Sequence, residues 1–283
     1  PVKTKNFRWY MSTYYSVNLN KVQTDDARNY NLNDYLNGTA VVSGQPISTF
    51  YSYKFLGLNP QNGAPMFDDW EDRWHLLQGK TLDEVVPMIL VNSGTRDPKF
   101  SGDLNNTFTY KNWSLSLNFS YSLGSKVRLF EMYGPIINGI SAAANVREEF
   151  LDRWQVPGDE KYTVYPLIIS PSSPDYEHYR LHYSAPQRAV GPNSGVPAFA
   201  NNVWQMYDDS DLRVVSGNYL KLQSLSFSYR LNDRLLRKTP FTQLSISFNT
   251  HNCFTISAKE LRGQDPSQAG FADFLSGRVI RLV

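Results

Sequence analysis

The chain has 283 residues, and its 28 basic side chains nearly balance its 26 acidic ones, which excludes a strongly basic nucleic-acid binder and a polybasic membrane-surface protein. The longest purely apolar run, residues 85–91, is interrupted by Pro87 and falls well short of the ~20 apolar residues that a membrane helix needs. A membrane barrel stays open, because its strands carry apolar residues only at alternate positions.

Cys253 is the single cysteine and closes no internal disulfide. Aromatic residues make up 14% of the chain and Tyr leads with 18, a ring suited to the boundary between hydrocarbon and water. Residues 1–9 have no apolar signal-peptide core, and residues 277–283 stop as a strand begins. Both ends therefore read as cut from a longer chain.

Residues 7–20 alternate in the manner of a strand, which sends successive side chains to opposite faces. Phe7, Trp9, Met11, Thr13, Tyr15, Val17 and Leu19 share one face, and Arg8, Tyr10, Ser12, Tyr14, Ser16, Asn18 and Asn20 the other. Residues 21–37 are polar and read as a long loop. Residues 47–58 read as a second aromatic strand, with Ile47, Thr49, Tyr51, Tyr53 and Phe55 together, ended by the breaker-rich 59–65. Residues 68–83 are acidic, with a weak helical signal.

Two alternating runs, 104–110 and 113–123, are separated only by Lys111 and Asn112, which predicts a tight hairpin. In the second run Trp113, Leu115, Leu117, Phe119, Tyr121 and Leu123 share a face, opposite Ser114, Ser116, Asn118, Ser120 and Ser122. Eleven residues at ~3.3 Å each span about 36 Å, enough for a tilted strand to cross a bilayer. A further strand starts within 127–133, and 141–154 places Val146, Phe150, Leu151 and Trp154 at helical spacing. Residues 154–205 are dominated by Pro, Gly, Ser, Tyr and Asn, a connection ordinary in the outward loops of a barrel and unusual in a compact soluble domain.

Alternation resumes at Tyr219. Leu220 and Leu222 have one parity and Leu225, Phe227, Tyr229 and Leu231 the other, so a β-bulge is predicted near Gln223 and Ser224. After a basic turn over 232–240, Leu244, Ile246, Phe248, Thr250, Phe254 and Ile256 form one strand face, with Ser245, Ser247, Asn249, His251 and Cys253 opposite. The pattern predicts an all-β fold of about eight strands: an antiparallel transmembrane β-barrel segment with long extracellular loops and a short loop helix. Two other architectures fit less of the pattern. A soluble carbohydrate-binding β-sandwich would carry charges on its second strand faces, and a small adhesion-type outer-membrane barrel would pair the strand at Phe7 with one at Arg278.

Several stretches carry a family resemblance in order along the chain. Residues 211–229 contain Gly217-Asn218-Tyr219-Leu220-Lys221-Leu222, followed by His251-Asn252-Cys253-Phe254-Thr255-Ile256 and Gly263-Gln264-Asp265-Pro266. Upstream stand Asn6-Phe7-Arg8-Trp9 with 18–22, residues 53–58 through 65, the hairpin Pro98-Lys99-Phe100-Ser101-Gly102-Asp103-Leu104-Asn105-Asn106-Thr107-Phe108, and Arg153-Trp154 with 157–160. Together these resemble SusC/RagA-type TonB-dependent outer-membrane transporters. The resemblance implies that residues 1–283 are a C-terminal portion of a barrel of about 22 strands. Plug domain, TonB box and final strand are not represented. It further implies an importer of oligosaccharides or peptides in the outer membrane of a Gram-negative bacterium, set in outer-membrane lipid. The implied partners are a SusD-like surface lipoprotein acting as a lid, a TonB complex reached through the N-terminal region, and a dimer of SusCD pairs; no nucleic acid is implied.

No Gly-x-Ser-x-Gly elbow, P-loop or paired cysteines occur, so no catalytic residue is expected and the chain reads as a non-enzyme. His178 and His182, with Glu177, have the spacing of helical metal ligands but stand in loop-like sequence. Acidic residues 68–72 and Asp208, Asp209 and Asp211 are candidate ligands for a structural Ca²⁺, and solvated acidic loops are the plainer alternative. No other cofactor is expected. Trp154, Tyr176, Tyr179, Tyr183, Trp204 and Tyr207 are candidates to stack on a substrate or meet the lid, or else to pack the loops together. Within the barrel reading, Ser114, Ser116, Asn118 and Ser120 face the lumen, and Trp113, Leu115, Leu117, Phe119 and Tyr121 face lipid.

Overall fold

A computed structural model describes residues 2–23, 30–68, 70–77, 79–134, 146–169, 171–181, 189–190, 196–197, 202–237 and 239–267. The chain opens with β1 (Val2–Lys3) and β2 (Phe7–Val17), then leaves on a first excursion. This contains α1 (Leu32–Asn37), β3 (Thr49–Tyr53), β4 (Phe55–Leu58), β5 (Pro65–Phe67), α2 (Leu82–Ile89) and β6 (Leu90–Thr95). β7 (Phe100–Tyr110) and β8 (Trp113–Leu123) follow. A second excursion carries β9 (Lys126–Arg128), α3 (Tyr176–Leu181), the two-residue pieces β10 (Ala189–Val190) and β11 (Val196–Pro197), α4 (Val203–Asp208) and β12 (Val214–Ser216). β13 (Tyr219–Arg230), α5 (Asp233–Leu236) and β14 (Ser245–Ser257) are the last α-helix and β-strands among the described residues.

The long strands form one six-stranded sheet in the order β1-β2-β7-β8-β13-β14, each pair antiparallel. Strict alternation within each strand becomes, through the register, rows of like side chains across the sheet. Phe7, Tyr110, Trp113, Tyr229 and Ile246 stand in one row, and Trp9, Phe108, Leu115, Phe227 and Phe248 in the next. The opposite face carries Arg8, Thr109, Ser114, Ser228 and Ser247, then Tyr10, Thr107, Ser116, Ser226 and Asn249. Asn106 is a polar residue in the apolar rows, and its Oδ1 accepts the Trp9 indole N–H at 3.1 Å.

The bulge lies where the sequence predicts it. Leu222 pairs with Phe119 and Ser224 with Asn118, so Gln223 is the extra residue and Leu225 returns to the apolar row against Leu117. On β14 the same interval holds two residues, Asn252 and Cys253, with Asn252 at φ 53°, so the irregularity grows by one residue across the pair. The hairpin at Lys111–Asn112 is also present, with Tyr110 opposite Trp113 and Lys111 in the left-handed region at φ 53°.

Both excursions leave from the same end of the sheet, after β2 and after β8, whereas the other end has the hairpin turn and residues 231–244. The excursions pack together into a unit with its own core, which includes Leu36, Tyr53, Leu77, Val85, Val86, Met132, Phe150, Met206 and Tyr207. Here the structure departs from the strand expected over 47–58. That stretch splits into β3, paired with β6, and β4, paired with β5, and neither joins the main sheet. All five residues of β3 are buried, which suits a strand covered on both sides and not one with a solvent- or lipid-facing surface.

The 127–133 strand is likewise reduced to β9, held by β12. The polar 21–37 loop ends in α1, which a reciprocal cap between Asn31 and Asp34 starts and Gly38 at φ 68° stops. Thr81 and Glu84 start α2 in the same way. In place of the helix read over 141–154, the described part is a 3₁₀ turn, Glu148–Asp152, and 141–145 lie outside the described residues. The strand read from residue 277 onward also lies outside them.

The register distinguishes two deletions. Removing Gln223 leaves β13 alternating without interruption, so the folded fraction should change less than about twofold. Removing Asn118 from β8, which has no spare residue, turns Phe119, Tyr121 and Leu123 to the polar face and should cut the folded fraction at least about tenfold. Heat-modifiable mobility on gels reads the folded fraction in both.

Candidate functional site

The two excursions are joined by partly buried charge. The Arg128 guanidinium donates from Nη2 to the carbonyl oxygens of Leu36 (3.2 Å) and Tyr51 (2.7 Å) and to Ser52 Oγ (3.1 Å), and from Nη1 to Asp209 Oδ1 at 2.9 Å. One side chain from the second excursion thus satisfies backbone acceptors in α1 and β3 of the first. Asp208, 3% exposed, accepts the backbone N–H groups of Met132 (2.9 Å), Tyr133 (2.8 Å) and Gly134 (2.9 Å). Burial pushes its carboxyl up to about 6, although these three donors and Arg213 act the other way. Asp211 pairs with Lys54 Nζ at 2.8 Å and accepts the Phe55 N–H at 3.0 Å. Asp208, Asp209 and Asp211 therefore reach three separate sets of donors, and no group of three or more His, Cys, Asp or Glu with metal-binding geometry occurs among the described residues.

The aromatic candidates have different places. Tyr207 is fully buried among Tyr133, Phe55 and Arg213, with ring centroids 5.4 Å from Tyr133 and 5.6 Å from Phe55. Tyr176 and Trp204 are buried and stacked at 5.7 Å and 16°, and the Trp204 indole N–H reaches the Leu167 carbonyl at 3.2 Å. Trp154 is buried over Gly63, whose φ of 66° and position, where any Cβ would meet the indole, both require glycine. Its N–H bonds the Tyr165 carbonyl at 2.9 Å, and its indole N–H lies 3.3 Å from Glu160 Oε2. Tyr179 is half-buried, edge-on to His178 at 5.5 Å. Tyr183 and His182 lie outside the described residues.

Tyr179 and His178 form one wall of an open cleft of about 440 Å³. Its floor is apolar, from Pro65, Met66 and Phe67 of β5 and Val203 at the start of α4. Asn59 and Asn62 of the β4–β5 turn also line it. Their side-chain oxygens accept the Gln61 N–H (2.8 Å) and the Ala64 N–H (3.0 Å), which holds the turn and leaves the Nδ2 donors without a partner among the described residues. Asp68 at the edge is paired with Arg73, and that guanidinium lies over the Trp70 ring. Sequence reasoning placed a breaker at 59–65 but did not find the cleft, since its walls come from segments more than 100 residues apart. Arg128 was also missed; a lone cation between Val127 and Leu129 was the available signal.

At the excursion end of the polar sheet face, Ser120, Ser122 and Lys221 are buried. Lys221 Nζ pairs with Asp265 Oδ2 at 2.6 Å, and Gln223 Nε2 donates to Ser120 Oγ at 3.0 Å. Burial pushes the Asp265 carboxyl up, but Lys221 and Ser267 more than offset this and hold it below the usual carboxylate range. Ser114, Ser116, Asn118 and Ser120 share this polar face. Trp113, Leu115, Leu117, Phe119 and Tyr121 share the other, where Trp113 packs on Phe227 at 5.1 Å and Tyr229 at 4.2 Å.

The sheet, its two faces and the one-ended excursions define an all-β fold, an antiparallel segment of β-barrel type, and solved structures share it. The chain is similar to the solved structure of the RagAB peptide transporter, at 16% identity and TM-score 0.54, over 94% of this chain and 25% of that one. It is also similar to the RagAB peptide importer in an open-open state (17%, TM-score 0.57, 93% and 24%) and in a closed-closed state (14%, TM-score 0.52, 94% and 25%). At such identities the likeness is one of fold, and the chain spans about a quarter of the length of those chains. No protein-family model matches the sequence. No curated protein matches it either.

The Asp208 hub makes two predictions. Asp208→Ala leaves three N–H groups unbonded and should destabilise the excursion unit by about 3 kcal/mol or more, read by urea unfolding monitored at its tryptophans. Because the folded carboxyl titrates near 6, above its ordinary 3.8, the folded state holds the proton more tightly. The Asp208 contribution to stability should therefore fall as pH rises from about 4 to about 6 and stay flat above. Asp208→Asn should remove that slope in a pH series of thermal unfolding.

Proposed function

We propose that this chain is the barrel-wall and outward-loop portion of an importer in the outer membrane of a Gram-negative bacterium, taking up oligosaccharides or peptides. The observation that carries this reading is the set of mainly apolar and mainly polar rows, one face each, that runs across β2, β7, β8, β13 and β14, with both long excursions at one end. The apolar rows face lipid, with Trp113, Tyr110 and Tyr229 in the interfacial belt at the short-turn end, and Ser114, Ser116, Asn118 and Ser120 face the lumen. The similarity in fold to a protein described as a peptide importer supports the transport role.

The protein performs no bond chemistry; it binds solute with loop and lumenal side chains. A SusD-like surface lipoprotein acts as the partner on the excursion side, and a TonB complex supplies energy through parts of the transporter beyond this chain. Pairs of transporter and lid assemble as dimers.

Leu117 stands mid-strand in the apolar rows, between Asn106 and Leu225. In lipid vesicles, Leu117→Arg should cost ~2–4 kcal/mol in urea unfolding and Ser116→Arg clearly less, as expected where only the first face meets the bilayer. Equal costs would overturn the assignment of faces. Cells lacking the gene should lose uptake of labelled oligosaccharide or oligopeptide, and unchanged uptake of both would refute the import role.

A further inference from the structure

We propose that the short-turn end of the sheet is a rim that binds the headgroups of anionic phospholipid, an inference that rests on the apolar face meeting lipid. Three connections form this end: the turn between β1 and β2, Lys111–Asn112 between β7 and β8, and residues 231–244 between β13 and β14. They are knit together, since the Lys111 N–H donates to the Asn6 carbonyl at 2.8 Å and the Arg230 N–H to the Asn112 carbonyl at 2.9 Å. Each presents exposed cations: Lys5 on the first, Lys111 on the second, and Arg230, Arg234 and Arg237 around the third. Asp233 is the one carboxylate in these connections. The whole chain has a net charge of only +2, so the excess belongs to this end.

A solvated surface mixes both signs, and elsewhere in this protein cations meet carboxylates: Lys54 with Asp211, Arg73 with Asp68, Arg128 with Asp209 and Lys221 with Asp265. None of the five rim cations does so among the described residues. Their neighbours point to lipid and not to a soluble anion. The ring row of Tyr110, Trp113 and Tyr229 lies just inside the rim, and Lys111 Nζ stands 5.4 Å from the centre of the Tyr110 ring, which places that ammonium at the edge of the apolar face. Leu235, Phe241 and Leu244 are exposed in the connection that carries Arg234 and Arg237, the mixture of apolar and basic groups that an interfacial segment sets at the headgroup boundary. A soluble polyanion would leave these apolar groups in water. A phospholipid covers them with its acyl chains and meets the cations with its phosphate. Adjacent turns are two strands apart, about 10 Å at the usual strand spacing, so the cations form a row along a leaflet and not a pocket for one ion.

The test uses the intact transporter in nanodiscs of phosphatidylcholine that carry trace fluorescent phosphatidylglycerol or trace fluorescent phosphatidylcholine, with a photo-crosslinking residue in place of the exposed Leu235. Phosphatidylglycerol should be captured at least about fivefold more than phosphatidylcholine, the preference that one interfacial cation already supplies. Arg230→Gln, Arg234→Gln and Arg237→Gln together should bring the two lipids to within about twofold, whereas lysine at the same three positions should keep the preference. Salt at about 1 M should erase the preference in the protein that keeps its arginines, which frees the test from how the variants fold. Millimolar glycerol phosphate should not displace the lipid. Equal capture of both lipids, a preference that survives the glutamine variant or high salt, or displacement by glycerol phosphate would overturn the proposal. Failure of the lipid-facing assignment would show separately, as capture of neither lipid, and the rim would fall with it.

Discussion

The Arg128 guanidinium is the point on which the architecture beyond the sheet depends. Two long excursions leave the same sheet end, and each brings backbone carbonyls that a barrel wall cannot satisfy. Arg128 meets three acceptors of the first excursion while its other nitrogen is held by Asp209 of the second. A planar, always-charged fork suits this task where a lysine would not, because several acceptors at fixed angles must be met by one group. Asp208 complements it from the adjacent position by collecting three N–H groups of residues 132–134. Removing one member of this set leaves donors or acceptors without their bonds, which costs more than the net value of the bonds themselves. The aromatic core around Tyr53 and Tyr207 packs about this hub, and the cleft lies on the surface of the same unit.

The sheet follows a different constraint, the period of two. Most strands set a side dominated by Ser, Thr and Asn against an apolar side rich in rings, so register has little freedom once one face has its environment. The bulge at Gln223 shows how strictly this holds. The parity of the apolar residues changes within β13, and the structure absorbs the change with one extra residue and keeps Leu222 and Leu225 in adjacent apolar rows. Gln223 then turns to Ser120 instead of remaining unpaired.

What the sequence revealed follows from this division. The β7–β8 hairpin, the bulge and the two faces were legible because they are local: a two-residue turn, a parity change and an alternation need no knowledge of distant partners. The excursion unit was not, since β3 pairs with a strand about 40 residues away and its aromatic run looks like any barrel strand until its burial on both sides is known. α1 was readable in principle, from Leu32, Tyr35 and Leu36 on one helical face behind the Asn31–Asp34 cap, but polar neighbours hid it. Among the loop aromatics, sequence cannot separate a ring that packs a core, as Tyr207 does, from one on a cleft wall, as Tyr179 is. Both follow from the same composition, and only the path of the chain decides between them.

That path also shapes the polar face where the excursions begin. Lys221 and Asp265 pair over Ser120 and Ser122, and Leu261, fully buried, packs with Val127, Leu129 and Val215 of the β9–β12 hairpin. Residues beyond β14 thus fold back over the polar side and tie to the root of the second excursion. A buried ion pair combined with an apolar anchor resists separation, because opening it strands a charge and exposes a packed side chain together. This end of the polar face is therefore a fixed rim. On the cleft the β4–β5 turn is held in the same manner, by the side-chain oxygens of Asn59 and Asn62 and by Trp154 packed on Gly63, so a local turn and a distant tryptophan together fix one of its edges.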